Sequence, residues 1–379
     1  MDVVIEELEA IGVAATPEEP FGYAQEWVTE RTATLVRVKA SDGTIGWGEC
    51  WGPVAGTRET ITDFIAPRLE GEDPLAVERR FDDLIAASRA AYQSMVPYPA
   101  VSGTDIALWD LRGKLFGRSV ADDLGGRRRD SIRAYATGHY FKHGASLEEQ
   151  YERIAAEAAD NAAELGAVKA KIGLELLGHD HEADVDLVRR IREAIGSDAD
   201  LFVDANYAYD TATARTVGRE LESLDIGWFE EPVHPENVAG YEHLRRALDV
   251  PIAGGECHDP VGFDRLFERG AVDIAQPDLC NVGGLTAARR IADRARSANA
   301  RVVPHVWGTP VALAASLHLI ATLPGSPWLE FDRSSNPLRK ELAVEPIVTE
   351  ADGTVPVPTG PGLGIELDRD AIARYRIND

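Results

Sequence analysis

The sequence predicts an α/β protein: a TIM-like (β/α) barrel preceded by an α+β capping domain. Two observations carry the barrel. First, six polar residues each end a short apolar run: Asp204 in LFVDAN, Glu230 in GWFEEP, Glu256 in PIAGGE, Asp278 in DIAQPDL, His305 in RVVPHVWG and Glu330 in PWLEF. Their intervals of 26, 26, 22, 27 and 25 residues match one strand, one helix and two short loops. Second, strand-like runs alternate with amphipathic helical ones throughout that region. A third observation sets the capping domain apart. The front of the 379-residue chain reads as strands followed by helices, without alternation.

Residues 1–125 carry the capping domain. TATLVRVKA alternates apolar and polar, and SDG makes a turn before TIGWGEC. The period becomes helical in ETITDFIAPRL, AVERRFDDLIAAS and TDIALWDLRGKLF, and GGRRRD reads as a linker. Residues 126–332 hold eight candidate strands, at 131–138, 167–173, 200–206, 226–232, 251–256, 272–279, 301–308 and 327–332. Eight strands with crossover helices favour a barrel over an open sheet. Residues 333–379 are rich in Pro and Gly and are expected to return over the capping domain.

The bulk numbers exclude several functions. With 39 basic and 64 acidic residues the net charge is −25, a field that repels nucleic acid and anionic membrane surfaces. The acids are scattered and lysine is confined to six positions, which suits a halophilic cytoplasm. Three cysteines without CxxC spacing fit reduced thiols. MDVVIEELEAIGV has no signal-peptide pattern, and VALAASLHLIATL is too short to span a bilayer. The expectation is a soluble cytoplasmic protein.

The strand ends carry the chemistry. Asp204, Glu230 and Glu256 would converge on one point, where three carboxylates repel one another unless a cation is present. All-oxygen ligation with room for water and substrate suits Mg²⁺. A lone strand-end acid is usually a helix cap or a solvated loop residue, but three in succession are not. Lys169 and Lys171, at i and i+2 of one strand, share a face. A lysine near another cation and a metal has a lowered pKa and can act as a base, whereas arginine cannot give up its proton. Asp278 would fix the tautomer of His305, giving a second acid–base group across the mouth. Glu330, if protonated, would hydrogen-bond a substrate carboxylate; a salt-bridged strand end is the alternative.

Together VKAKIG, LFVDAN, WFEEP, AGGE, QPDL, VPHVWG and LEFD resemble the mandelate racemase branch of the enolase superfamily. GWGEC and SGTDIALWDLRGK resemble its capping domain, so the likeness covers essentially the whole chain. The resemblance implies an enolase-type barrel in a homo-oligomer acting on a small carboxylate substrate. It also implies Asp204, Glu230 and Glu256 as Mg²⁺ ligands; the residues alone do not choose between Glu230 and its neighbour Glu231. Lys171 would be one base and His305, paired to Asp278, the other, with Lys169 and Glu330 stabilising an enediolate. YATG, DIAQPDLCNVGG, VVPHVWGT and EFDRSSNPLRKEL are similar to galactarolactone cycloisomerases and sugar-acid dehydratases. Those relatives often carry His where this chain has Tyr207, after Asn206. Substrate contacts are expected from Phe21, Tyr23, Trp27 and Trp51 of the capping domain, and from His139, Tyr140, Asn206, Tyr207 and His258 near strand ends. The implied reaction is α-proton abstraction followed by β-elimination. The alternatives are a racemase or epimerase and, more remotely, a non-catalytic ligand-binding barrel.

Overall fold

The computed structural model describes residues 3–93, 95–325 and 328–377. The chain opens with β1 (Ile5–Ala15), β2 (Phe21–Tyr23), β3 (Glu26–Val28), β4 (Arg31–Ala40) and β5 (Ile45–Cys50). β1, β4 and β5 form an antiparallel sheet in that order, with the SDG turn joining the last two. The helix Tyr98–Phe116 lies on this sheet and is buried along nearly its whole length, its buried acids Asp105 and Asp110 each taken up by hydrogen bonds. Glycine permits the close approach: a Cβ on Gly48 would come within 1.8 Å of the Gly103 carbonyl oxygen. That contact gives GWGEC and SGTD a packing reason.

The barrel begins with β6 (Ser131–Thr137); β7 (Phe141–Lys142) then pairs with β2 of the capping domain. There follow β8 (Ala167–Lys171), β9 (Asp200–Asp204), β10 (Ile226–Glu230), β11 (Ile252–Gly254), β12 (Ile274–Ala275), β13 (Arg301–Val302) and β14 (Leu329–Asp332). These eight barrel strands are parallel in the order β14-β6-β8-β9-β10-β11-β12-β13, as the alternating pattern predicts. Among the described residues no backbone ladder joins β13 to β14. A side chain crosses that seam instead, where the Val306 amide donates to Glu330 at 3.0 Å. Pro327, at the start of the expected eighth strand, lies outside the described residues.

Register positions the site. Lys171 pairs with Asp204, and Asp204 with Glu230. One layer deeper, two residues back along each strand, Phe202 and Trp228 stack at 3.4 Å between ring centroids, with Tyr135 edge-on to both. This apolar floor closes the barrel interior beneath the polar layer.

The capping domain also completes two barrel helices. Glu49 accepts hydrogen bonds from the Thr309 and Ala312 amides and the Thr309 hydroxyl, at the start of the helix Pro310–Thr322. Asp105 accepts from the amide and hydroxyl of Thr286, in the first turn of Gly284–Ser297. The GGRRRD segment is not a loose linker, because Arg129 donates to the carbonyls of Ile320, Leu323 and Gly325. The tail pairs β15 (Thr354–Pro356) with β6, and Ile377 then donates to the Gly12 carbonyl of β1 at 2.9 Å. No described helix is long and apolar enough to cross a membrane.

Candidate active site

At the C-terminal ends of β9, β10 and β11, Asp204, Glu230 and Glu256 are buried with carboxylate oxygens within 4.8 Å of one another. Glu230 is held on both oxygens, by Lys169 at 2.6 Å on one and by Trp228 (2.9 Å) and Gln276 (2.6 Å) on the other. Trp228 and Gln276 escape a motif reading, yet each lies two residues before a site acid; Trp228 shares β10 and one of its faces with Glu230, and Gln276 follows β12. Glu256 leaves Oε2 without a hydrogen-bond donor. Three buried carboxylates, one with a free lone pair, are a fitting donor set for a hard divalent cation.

Lys169 is fully buried, with Nζ 2.6 Å from Glu230 and 2.7 Å from Glu330. Lys171 pairs with Asp204 and donates to Asn206 Oδ1 at 3.0 Å. Burial is the largest influence and disfavours its ammonium, but Asp204, Tyr140 and Glu256 together raise the pKa. Of the two readings of Glu330, the geometry matches the salt-bridged strand end. Burial is the largest influence and opposes its ionisation, but Lys169, His305 and Lys171 together hold its pKa down to about 2.

His305 lies beyond the end of β13, with four strands between it and the strand of Lys171 along the sheet. Its Nδ1 is 2.7 Å from Asp278 Oδ2 and its Nε2 is 3.4 Å from Glu256 Oε2. Burial pushes its pKa down, but Glu256, Glu330 and Asp278 together raise it to about 9. Trp51 brings the capping domain to this side, its ring 4.9 Å from that of His305.

The other expected contacts divide. The Tyr23 hydroxyl reaches Glu26 at 3.0 Å and lies in the fields of Tyr207 and Lys171, so it faces the mouth. Asn206 and Tyr207 both have left-handed backbone, and the Asn206 carbonyl accepts from Gln25 of the capping loop at 2.8 Å. Tyr140 is buried against Phe21, and its hydroxyl accepts from Trp307 Nε1. Trp27 packs edge-on to His143, and His258 packs on Phe263 beside a cavity of about 620 Å³. His139 offers nothing to a substrate: one ring nitrogen meets the Lys169 carbonyl at 2.8 Å and the other meets Asn161 at 3.0 Å. It braces the lysine strand from behind.

The comparisons agree with this geometry. Residues 7–125 match the mandelate racemase / muconate lactonizing enzyme N-terminal domain, and residues 153–371 match the enolase C-terminal domain-like model. The chain is 40% identical to the D-galactarolactone cycloisomerase of Agrobacterium fabrum, covering 96% of each. The 3,6-anhydro-D-galactonate cycloisomerase of Zobellia galactanivorans superposes with a TM-score of 0.88 at 37% identity, covering 99% of this chain and all of that one. The L-talarate/galactarate dehydratase of Salmonella typhimurium, solved with Mg and L-lyxarohydroxamate, gives 0.86 at 29% identity, covering 100% and 94%. Fold, strand-end acids and similarity over the full length agree: the chain belongs to the mandelate racemase / muconate lactonizing enzyme family of the enolase superfamily.

Proposed function

We propose that this chain abstracts the α-proton of a sugar acid or its lactone and completes a β-elimination, as a cycloisomerase or an acid-sugar dehydratase. The observation that carries it is one buried carboxylate trio flanked by two acid–base groups, Lys171 and His305, with four strands between them. Asp204, Glu230 and Glu256 would hold Mg²⁺, which when bound supplies positive charge for the substrate's anionic oxygens.

The protein's own groups do the rest. Lys171 or His305 takes the α-proton, and Lys169 donates to the oxygen on which negative charge gathers, giving an enediolate. The bond from the β-carbon to oxygen then breaks, and the opposite acid delivers a proton to the departing oxygen. Asp278 holds His305 in the orientation and charge that this delivery needs. A departing hydroxyl leaves as water, while a departing lactone oxygen stays attached and opens the ring. The enol product tautomerises to a 3-deoxy-2-keto acid. Tyr23, Trp51 and Tyr207 are the side chains best placed to select the sugar.

The test is ¹H NMR of the protein with Mg²⁺ in deuterated buffer against aldonates, aldarates and their lactones. A new methylene signal is expected. Loss of the α-proton signal without a new product would replace elimination with racemisation or epimerisation. Turnover surviving in Lys171→Ala and in His305→Asn alike would sink the mechanism.

A further inference from the structure

Beside the trio lies a second cluster that the proposed reaction does not use. Glu231 follows Glu230, but its backbone is left-handed (φ 40°), which breaks the alternation of β10. It is only 1% exposed, and neither carboxylate oxygen receives a hydrogen bond from a nitrogen or oxygen donor. Among the described residues no ion pair reaches it. One ligand atom each from Glu231, Glu256 and Cys257 lie within 4.8 Å of one another. Cys257 is exposed, which opens a path from solvent, whereas Cys50 and Cys280 are buried.

Charge adds a second argument. The buried acids Asp204, Glu230, Glu231, Glu256, Asp278 and Glu330 face Lys169, Lys171 and His305. A single divalent ion on the trio leaves negative charge over, and Glu231, beside the Cys257 thiol, is the acid that no described cation pairs with. A buried carboxylate without a counter-ion is costly, and burial accordingly raises the Glu231 pKa until a cation takes the place of its proton.

We infer that Glu231, Glu256 and Cys257 form a second cation site, for a thiophilic divalent ion such as Zn²⁺ or Cd²⁺. The donor chemistry separates it from the neighbouring trio. A thiolate with two carboxylates selects a borderline-soft ion, while three carboxylates select a hard one. Binding displaces the thiol proton to solvent, and water completes the coordination. Glu256 belongs to both clusters, so filling this site loosens the hold on a cation at the trio. On the function proposed above, zinc would then inhibit the magnesium-dependent reaction.

The experiment titrates Cd²⁺ into the full-length protein in excess Mg²⁺ and follows the thiolate-to-cadmium ultraviolet band. One equivalent should bind with that band. Cys257→Ser should abolish it, and Glu231→Gln, checked for folding by circular dichroism, should weaken binding about tenfold or more. The absence of a band in the wild type, a band that survives Cys257→Ser, or unchanged affinity in Glu231→Gln overturns the inference. Asp204→Asn, outside this cluster, should keep the band even if the magnesium reading fails. Its loss there would place cadmium in the trio and overturn the separate site.

Discussion

His305 Nδ1 lies 2.7 Å from Asp278 Oδ2, and the same two residues form an isolated parallel backbone bridge. One backbone pairing therefore sets both the distance and the tautomer of the dyad. The other carboxylate oxygen of Asp278 accepts from the Cys280 amide at 2.7 Å, so the acid cannot rotate away. Nε2 is left as the working nitrogen, 3.4 Å from Glu256.

Asp278→Asn preserves this shape and removes the charge. Steady-state kinetics should show kcat lowered by about 10²-fold or more with little change in KM, the scale of acid–base catalysis. An unchanged kcat would remove Asp278 from the chemistry.

Lys169 neutralises Glu230 and Glu330 with no solvent near. Lys169→Met strands two buried carboxylates, and urea unfolding without Mg²⁺ should show a loss of about 3–5 kcal/mol. Adding Glu330→Gln should recover part of that loss, since the two residues share one interaction. Additive losses would mean that the pair contributes little.

Binding to the trio stabilises the folded state alone. The melting temperature should rise with Mg²⁺, by the equivalent of about 2.7 kcal/mol at a hundredfold excess over Kd. Asp204→Asn and Glu256→Gln should flatten that rise in a thermal-shift titration. A rise that persists in both would place the ion elsewhere.

His318, buried in the helix Pro310–Thr322, accepts from the Ala121 amide at 3.3 Å and reaches the Leu363 carbonyl at 3.0 Å through its other nitrogen. Burial pushes its pKa down to about 4, below the 6.5 of the unfolded chain. The folded state thus prefers the neutral ring. Its stabilisation is whole above pH 6.5 and is lost as pH falls towards 4, on the order of 3 kcal/mol. His318→Gln should make stability less steep with pH in that window, measured by urea unfolding at several pH values. An identical slope in the variant would contradict this account.

Much of the site was legible because strand chemistry is local. The acid or histidine closing each apolar run, and the i, i+2 spacing of Lys169 and Lys171, follow from side chains alternating along a strand. The expected roles of Glu330 and His139 did not follow from their places. A strand-end acid reads the same whether it meets a cation or a proton, and only the curl of the sheet, which brings β8 and β14 together across β6, puts Lys169 against Glu330. His139 follows a strand, but its left-handed backbone goes with a ring bonded to the Lys169 carbonyl rather than facing a substrate.

By itself, the sequence determined the order of elements, the alternating barrel pattern and the identity of the strand-end residues, because these depend on periodicity and on the family's motifs. Tertiary structure alone decided which charges neutralise which. It also decided that Glu49 and Asp105 of one domain finish helices of the other, and that Glu231 stands buried beside Cys257 with no cation among the described residues paired to it. The physical reason is that pKa, ion pairing and capping depend on distances between residues far apart in the chain, and those distances exist only once the sheet has curled.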